Sequence, residues 1–422
     1  MVLRRIACAQ VEARNIGEAS RSLGEALAMV AAAGAAGADI CVLPEGTYPA
    51  YVLGSADAGR AALDAGPDPI ATFGDAARSA GLDLIAGIVV DSPEGLLNAA
   101  VHFGPDGRVR SRAAKQLLWH FDREWFAPGS PAQVSGGVGM LVCADGRMPE
   151  IAGGLVRGGA TLLVNATAWV TTMPPPEGTN VQAEVLWRVR ALENGVAAAA
   201  ATKVGTEAGV AIYSGRSQIV AADGSVVAIA SPTEPELLVA DVDVPDVARP
   251  PCVDQAVMPY EMRRPSLVPG FAYVVVLSSE DLAGSLAGHG ANLVVHPEGT
   301  LQRHDLPVET VALHDDDLLV PGPVRRAAML GAAIIVWYAK RVPAQHVEVV
   351  ARARAMENRV FVAVWRDPAS GGAFVVDPNG RVIARAPAGG DFALGAACLL
   401  AEAHTKAMAP GTDVWEAIAS LR

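Results

Sequence analysis

The sequence lacks any block of basic residues. Its 33 Lys and Arg stand against 45 Asp and Glu, which gives a formal net charge of −12. A field of that sign repels phosphate, whereas nucleic-acid binding depends on basic side chains that neutralise phosphates. The composition therefore predicts no nucleic-acid partner, although it does not identify a substrate.

Paired cysteines are also missing. The five cysteines are odd in number and widely scattered, and no two form a Cys-x-x-Cys pair. They are Cys8, Cys41, Cys143, Cys252 and Cys398. This pattern is typical of a reduced, cytosolic protein rather than of a disulfide framework. The eight histidines do not cluster with the cysteines, so we expect neither a metal site nor a cofactor.

Long hydrophobic runs are absent although 51% of the residues are hydrophobic. The longest apolar runs, such as residues 330–339, reach about ten residues, and a membrane-spanning helix needs about 20. The apolar stretch after Arg4 and Arg5 is too short for the core of a signal peptide. We therefore predict a soluble, cytoplasmic protein with no membrane partner.

The first half of the chain alternates between strand and helix signals. Predicted strands cover residues 5–11, 39–43, 83–90, 139–142, 161–164 and 196–202. Predicted helices cover residues 16–36, 68–80, 149–157 and 181–194. Turn signals at Gly104–Gly107 and Asp223–Gly224 predict two hairpins. Mixed βα units with hairpins indicate a layered α/β sandwich, and a length of 422 residues favours two domains.

Three chemically distinct residues follow apolar runs of this first half: Glu45, Lys115 and Cys143. Cys143 lies between a predicted strand and a predicted helix, where backbone N–H groups stabilise a thiolate and can hold an oxyanion. Glu45 can take the thiol proton and pass it to a leaving amine. Lys115 and the backbone N–H of Ala144 can hold the developing oxyanion. A cysteine with a glutamate and a lysine is thus chemically complete for amide hydrolysis without histidine.

The motifs around these residues resemble those of the nitrilase superfamily of carbon–nitrogen hydrolases. They are Leu43-Pro44-Glu45-Gly46, the Lys115 segment closing with residues 125–129, residues 142–150 around Cys143, residues 158–169, and the Arg-Ala-Leu-Glu-Asn run ending at Asn194. The resemblance covers roughly residues 3–267. It implies a four-layer αββα sandwich that hydrolyses nitriles, amides or carbamoyl groups of small molecules through a thioester or thioimidate.

Many members of that superfamily carry a second glutamate shortly after the lysine. The comparable place here holds Asp122, with Glu124 two residues further on. Spacing alone leaves both residues as candidates for orienting Lys115. Nearby aromatic residues and a histidine are candidates for the substrate pocket, with a place in the core as their alternative. They are Tyr48, Tyr51, Trp119, His120 and Trp169.

The second half of the chain repeats landmarks of the first. Residues 290–300 are similar to residues 37–47, and residues 354–360 are similar to residues 190–196. The second copy is shorter, lacks the segment that carries Lys115, and has Pro321 where the thiol is expected. We therefore predict a catalytic domain, 1–267, and a degenerate nitrilase-like domain, 268–422. We expect the two to form an internal pseudo-dimer, with other faces left for homo-oligomerisation.

The sequence thus predicts an amidase-type hydrolase that acts through a Cys143 thioester. Two alternatives stay open: an acyltransferase that uses the same thioester, and a non-catalytic binding or scaffold protein. An ammonia-channelling synthetase is disfavoured because no nucleotide-binding glycine motif opens a helix after residue 268.

Overall fold

A computed structural model describes residues 1–130, 133–248, 262–265, 267, 270–282, 290–387, 389–409 and 411–421. The chain divides into two compact units, Met1–Pro250 and Pro251–Arg422. The domain boundary predicted at residues 267/268 falls where few residues are described. Cys252 lies outside the described residues.

The first unit alternates strands and helices along most of its length. In chain order its elements are β1 (Val2–Glu12), α1 (Ala19–Ala35), β2 (Ile40–Val42), α2 (Ala56–Ala65), α3 (Pro69–Ala80), β3 (Asp83–Ser92), β4 (Gly95–Phe103), β5 (Val109–Ala114), β6 (Val138–Val142), α4 (Pro149–Arg157), β7 (Leu162–Ala166), β8 (Val170–Thr171), α5 (Trp187–Asn194), β9 (Ala197–Ala201), β10 (Lys203–Val204), β11 (Thr206–Glu207), β12 (Ala211–Tyr213), β13 (Gln218–Val220), β14 (Val226–Ile229) and β15 (Glu236–Val244). Short 3₁₀ or π helices cover Ile16–Glu18, His120–Glu124, Cys143–Arg147 and Gln182–Leu186.

Two large sheets form the middle of this unit. The first has the order β10-β1-β2-β3-β4-β5, with β15 also paired to β1, and the second has the order β14-β13-β9-β7-β6. Strands β1, β2 and β3 run parallel, as do β6, β7 and β9, whereas the hairpin strands are antiparallel. A small three-stranded sheet, β11-β12-β8, accompanies them.

The alternation of side chains along β1 explains the layering. Ile6 and Cys8 face the second sheet and pack with residues of β6, β7 and β9, whereas Ala7 and Ala9 face α1 and α3. On the far side of the second sheet, a Cβ added to Gly139 would lie 3.0 Å from the Leu155 Cβ of α4. The helix–sheet–sheet–helix sandwich predicted for this part of the chain is therefore confirmed.

Helix α3 shows how local sequence sets the ends of these elements. The Asp68 side chain accepts the Ile70 N–H, and Pro69 occupies the first helical position. The helix ends at Gly81, which adopts a left-handed φ of +67°.

The second unit is also an α/β body. Its elements are β16 (Phe271–Leu277), β17 (Leu293–Val295), β18 (Leu301–Arg303), β19 (Glu309–His314), α6 (Pro321–Met329), β20 (Ala332–Tyr338), α7 (Ala344–Asn358), β21 (Phe361–Trp365), β22 (Phe374–Val376), β23 (Val382–Arg385), β24 (Ala393–Leu399), α8 (Leu400–His404), β25 (Ala407–Ala409), β26 (Thr412–Asp413) and α9 (Val414–Ser420). Short 3₁₀ helices cover Glu280–Leu282, Asp315–Leu318 and Pro368–Ser370.

The main sheets of the second unit have the orders β18-β17-β16-β24 and β19-β20-β21-β22-β23. In the second of these sheets, β19, β20 and β21 run parallel, whereas β22 pairs antiparallel with both β21 and β23. The sheet β6-β7-β9-β13-β14 of the first unit has the same sequence of directions. Among the described residues of the chain, no helix has the length and apolar content needed to cross a membrane.

Gly87 of β3 lies against the loop that follows β2, and this contact predicts the effect of a substitution. A Cβ added at this position would lie 2.0 Å from the Pro44 carbonyl oxygen and 2.8 Å from the Glu45 Cα. We expect Gly87→Ala to lower the free energy of unfolding by about 1–3 kcal/mol, as overpacking of a core does. Chemical denaturation measures the change.

The matched control is Gly24→Ala, on the exposed face of α1, where an added Cβ meets nothing within 4 Å. This variant is expected to gain about 0.5–1 kcal/mol, since alanine is the better helix former. Equal stability of Gly87→Ala and the wild type would show that the Pro44–Glu45 loop is not packed as described.

Candidate active site

Three strand ends supply the core of the site. Glu45 follows β2, Lys115 directly follows β5, and Cys143 directly follows β6. The first two strands belong to the first sheet and the third to the second sheet, and the inner faces of these sheets pack together. The structure thus brings together the three residues that the sequence singled out.

Glu45 is fully buried and its position is set by polar contacts. Its Oε1 accepts hydrogen bonds from Asn98 Nδ2 at 2.6 Å and from Lys115 Nζ at 2.8 Å. Burial raises the pKa of Glu45; Asp122 raises it further, while Lys115 and a hydrogen bond from the Cys143 thiol oppose the rise. A carboxylate of this kind can carry a proton closer to neutral pH than an exposed glutamate can.

Lys115 lies between two carboxylates. Its Nζ is 2.8 Å from Glu45 Oε1 and 2.5 Å from Asp122 Oδ2, and all three side chains are fully buried. Burial opposes the charged form, but Asp122, Glu45 and Cys143 together raise the pKa of Lys115 well above its ordinary value. The Lys115 ammonium is therefore a fixed positive charge in the site.

The geometry distinguishes between the two candidates for the second carboxylate. Asp122 is buried, contacts Lys115, and accepts a hydrogen bond from the Tyr51 hydroxyl at 2.6 Å. Its Oδ2 also accepts the backbone N–H of Trp119 at 2.9 Å, which fixes the short helix that carries it. Glu124, at the end of the same helix, is exposed.

Cys143 occupies a sharp turn with a positive φ of 47°. Its side chain lies 3.8 Å from the Ala168 carbonyl oxygen, and its own carbonyl oxygen accepts a hydrogen bond from Asn165 Nδ2 at 3.2 Å. Burial, reinforced by the charge of Glu45, raises the pKa of the Cys143 thiol to about 12. Burial and the Glu45 carboxylate therefore favour the neutral thiol over a thiolate in the resting site.

The turn after Cys143 is tied to the Lys115 segment by a buried aspartate. Asp145 accepts backbone N–H groups of Leu117 at 2.8 Å, Gln116 at 3.1 Å and Val142 at 3.3 Å. Burial raises the pKa of Asp145 to about 7, although these amide hydrogen bonds and Lys115 oppose the rise. Ala144, the expected oxyanion donor, is buried and directly follows Cys143 in the chain.

The predicted pocket residues separate into different environments. The Tyr51 ring lies 5.4 Å from Lys115 Nζ, so Tyr51 belongs to the site. Trp119 is half-buried, and the Arg147 guanidinium carbon lies 4.3 Å from its ring centroid. His120 is exposed, with its ring edge-on to Phe121 at 5.1 Å.

Tyr48 and Trp169 have more deeply buried positions. Tyr48 is a member of the core between the first sheet and its helices, where Phe73 and Ile88 also lie, so its assignment to the pocket is corrected to a core role. The Tyr48 side chain packs in the core between the sheet and its helices. The Glu45 side chain instead contacts Lys115. Trp169 is fully buried, and its backbone N–H donates to the Thr202 hydroxyl at 2.9 Å.

Sequence reasoning missed Asn98. Its side-chain amide donates to Glu45, and its backbone carbonyl oxygen accepts the backbone N–H of Lys115 at 2.8 Å. A polar amide within the apolar run of β4 was the available signal, because buried polar groups need partners.

Sequence reasoning also missed a buried cluster on β10, β11 and β12, formed by Lys203, Glu207 and Tyr213. No group of three or more His, Cys, Asp or Glu among the described residues has the arrangement of a metal site.

The sequence of this chain matches a known family of enzymes. The family model for carbon–nitrogen hydrolases matches residues 5–250 and 312–402, which together exceed half of the chain. The protein therefore belongs to the carbon–nitrogen hydrolase family, also called the nitrilase superfamily. Members of this family are enzymes that act on carbon–nitrogen bonds other than peptide bonds.

Among individual relatives, a nitrilase of Pyrococcus abyssi is 31% identical over 175 residues, which are 40% of this chain and 63% of that protein. An omega-amidase of Xenopus tropicalis is 29% identical over 239 residues, which are 53% of this chain and 84% of that protein. The match thus spans less than two thirds of the nitrilase and most of the omega-amidase.

Solved structures have the same fold. An amidase from Nesterenkonia sp. AN1, a double mutant in complex with acrylamide, is 26% identical with a TM-score of 0.50, covering 58% of this chain and 91% of that chain. A carbon–nitrogen hydrolase from Helicobacter pylori G27 is 24% identical with a TM-score of 0.50, covering 57% and 90%. The second likeness concerns the fold alone.

The contrast between Asp122 and Glu124 leads to a paired substitution. Asp122→Asn removes the charge next to Lys115 and is expected to lower the rate of carbon–nitrogen bond hydrolysis by about 10²-fold or more. Glu124→Gln changes an exposed side chain on the same short helix and is expected to stay within about twofold of the wild type. Equal losses in the two variants would contradict the assignment of Asp122.

Proposed function

We propose that this protein hydrolyses a small-molecule amide or carbamoyl compound, with Cys143 as the nucleophile. The observation that supports this most is the buried contact chain Asp122–Lys115–Glu45, which presents a carboxylate to the Cys143 thiol. Amide hydrolysis needs a nucleophile, a proton shuttle and a stabiliser of negative charge, and this chain holds candidates for all three.

In the proposed first step, Cys143 Sγ attacks the carbonyl carbon of the substrate. The thiol is neutral at rest, because its pKa is about 12, so the proton passes to Glu45 as the carbon–sulfur bond forms. Glu45 suits this transfer because burial raises the pKa of its carboxyl group. The carbonyl π electrons move to oxygen, which gives a tetrahedral oxyanion.

The oxyanion is stabilised by Lys115 and by the backbone N–H of Ala144. Lys115 is suited to this role because two carboxylates keep it charged and its buried position strengthens its field. When the intermediate collapses, the carbon–nitrogen bond breaks and Glu45 returns the proton to the leaving amine. A Cys143 thioester remains.

In the second step, water attacks the thioester while Glu45 takes its proton. The carbon–sulfur bond then breaks, the thiol recovers the proton, and a carboxylic acid leaves. The sum is amide plus water giving acid plus amine or ammonia. If an amine replaces water in this step, the same site forms a new amide, which is the acyltransferase alternative. The names of the relatives, amidase and omega-amidase, favour hydrolysis.

We also propose that the second unit is a degenerate copy of the first, with the boundary between them near residue 268. The matching strand directions in β6-β7-β9-β13-β14 and β19-β20-β21-β22-β23 support this, as does the split family match. Glu298, the counterpart of Glu45, is exposed, and Pro321 begins α6 where a thiol is expected. The active site then belongs to the first unit alone, and the pseudo-dimer stays a prediction.

Trapping of the acyl-enzyme tests the proposed reaction. Intact-protein mass spectrometry after brief exposure to a panel of small amides, carbamoyl amines and nitriles is expected to detect an adduct on the wild type. The adduct should decay as ammonia is released, and it should be absent from Cys143→Ala. The mass of the adduct identifies the substrate class.

Two glutamate variants serve as a matched pair in this assay. Glu45→Gln is expected to abolish adduct formation, whereas Glu298→Gln in the second unit is expected to behave like the wild type. An adduct that forms but decays only when an amine is added would favour acyl transfer. Absence of both adduct and turnover across the panel would favour the non-catalytic alternative.

The dependence of kcat/KM on pH gives a second test. The carboxylate form of Glu45 is the active base, so activity is lost as the pH falls through the pKa of Glu45. Burial raises that pKa, which places the acid limb above the ordinary glutamate value of about 4.3. No alkaline limb from Lys115 is expected near pH 10, because its pKa is raised well above the ordinary range. A profile that stays flat down to about pH 4 while the protein remains folded would contradict the assignment.

A further inference from the structure

A second buried ion pair lies beside the proposed site. Lys203 of β10 and Glu207 of β11 are 2.9 Å apart, and the hydroxyl of Tyr213, on β12, donates to the same carboxylate oxygen at 2.8 Å. All three residues are almost fully buried. The cluster is near the catalytic groups, because Lys203 Nζ lies 2.9 Å from the carbonyl oxygen of Gly46, the residue directly after Glu45.

The other oxygen of Glu207 binds backbone of the loop that follows Glu45. Its Oε1 accepts the N–H of Tyr51 at 2.7 Å and the N–H of Val52 at 2.6 Å. The carboxylate therefore receives two amide donors on one oxygen and two side-chain donors on the other. Such contacts compensate for the cost of burying a charge and favour one fixed geometry.

Lys203 holds the other end of the same loop. Its Nζ donates to the carbonyl oxygen of Gly46 at 2.9 Å, and Gly46 is the residue directly after Glu45. Gly46 has a φ of +56°, and a Cβ added to it would lie 2.6 Å from the Tyr51 Cα. The loop is thus folded tightly back on itself, with the Lys203–Glu207 pair bound to both of its ends.

Movement of this loop would reach the catalytic groups by two routes. Gly46 adjoins Glu45 in the chain, and the Tyr51 hydroxyl donates to Asp122, which contacts Lys115. A displacement of about 1 Å at reacting groups can cost about 10²-fold in rate.

We propose that Glu207 is a positioning residue for amide hydrolysis, which acts by fixing the backbone of Tyr51 and Val52 and, with Lys203, the loop that carries Glu45. This inference rests on the proposed function for its kinetic consequence. Its structural consequence, an ordered 46–52 loop, does not need a substrate.

Two substitutions separate the contributions of Glu207. Glu207→Gln keeps an oxygen that can accept the amides of Tyr51 and Val52 but loses the charge beside Lys203. Glu207→Met keeps the volume and loses all acceptors. Glu193→Gln is the matched control, because Glu193 forms a buried ion pair with Arg190 at 3.0 Å within helix α5 of the same unit.

Three readouts are measured on the full chain: hydrogen–deuterium exchange of the 46–53 segment, native alkylation of Cys143 by iodoacetamide with peptide mapping, and kcat and KM. Glu207→Met is expected to speed exchange of this segment by at least about tenfold and to lower the alkylation rate, because a displaced Glu45 no longer takes the thiol proton. It is also expected to lower kcat by about 10²-fold with KM changed less than about threefold. Glu207→Gln is expected to be intermediate, and Glu193→Gln to match the wild type in all three.

Unchanged exchange and alkylation in Glu207→Met would overturn the proposal. Equal effects in Glu193→Gln would also overturn it, because they would show a general loss of stability rather than positioning. If Glu207→Met does not fold, as judged by circular dichroism, Glu207→Gln decides by the same criteria. If no substrate is turned over, the proposed function fails, yet exchange and alkylation still decide the role of Glu207.

Discussion

The buried ion pair between Glu45 and Lys115 is the interaction on which the rest of the site depends. Its atoms are 2.8 Å apart and fully excluded from solvent. Burying two charges costs several kcal/mol for each ion, and additional hydrogen bonds to neighbouring groups offset part of that cost. Asn98 donates to Glu45 and Asp122 accepts from Lys115, which leaves a net negative cluster next to the Cys143 thiol. Burial and, after it, the charge of Glu45 raise the pKa of the Cys143 thiol, which favours the neutral thiol until a substrate accepts electrons.

The fold supplies this arrangement by ending strands of two packed sheets at the same place. Strands β2 and β5 carry the ion pair, and β6 carries the thiol. Asp145 then ties the Cys143 turn to the segment after Lys115, and the Lys203–Glu207 pair ties down the loop after Glu45. The backbone that carries Glu45 and Cys143 is thus fixed by two buried carboxylates, Glu207 and Asp145, as preorganisation of a site requires.

Much of the first unit could be predicted from the sequence, because its strands alternate and its helices have recognisable ends, as at Asp68 and Gly81. The site residues at strand ends were predicted for the same reason. Spacing could not separate Asp122 from Glu124, since that choice depends on the direction of two side chains on one short helix. Tyr48 was misplaced because closeness to Glu45 in the chain does not determine which face of the sheet a side chain takes. Glu207 was missed because its contact with Tyr51 joins residues 156 positions apart.

The most direct test of this account is the protonation state of Cys143 in the resting protein. The ultraviolet absorbance of thiolate would be titrated with pH in the wild type and in Cys143→Ala, and the difference assigned to this thiol. A neutral thiol through pH 7 and well into the alkaline range is the predicted result, because burial and Glu45 raise the pKa of Cys143 to about 12. A thiolate already present at neutral pH would contradict it, since Glu45 would then have no thiol proton to take.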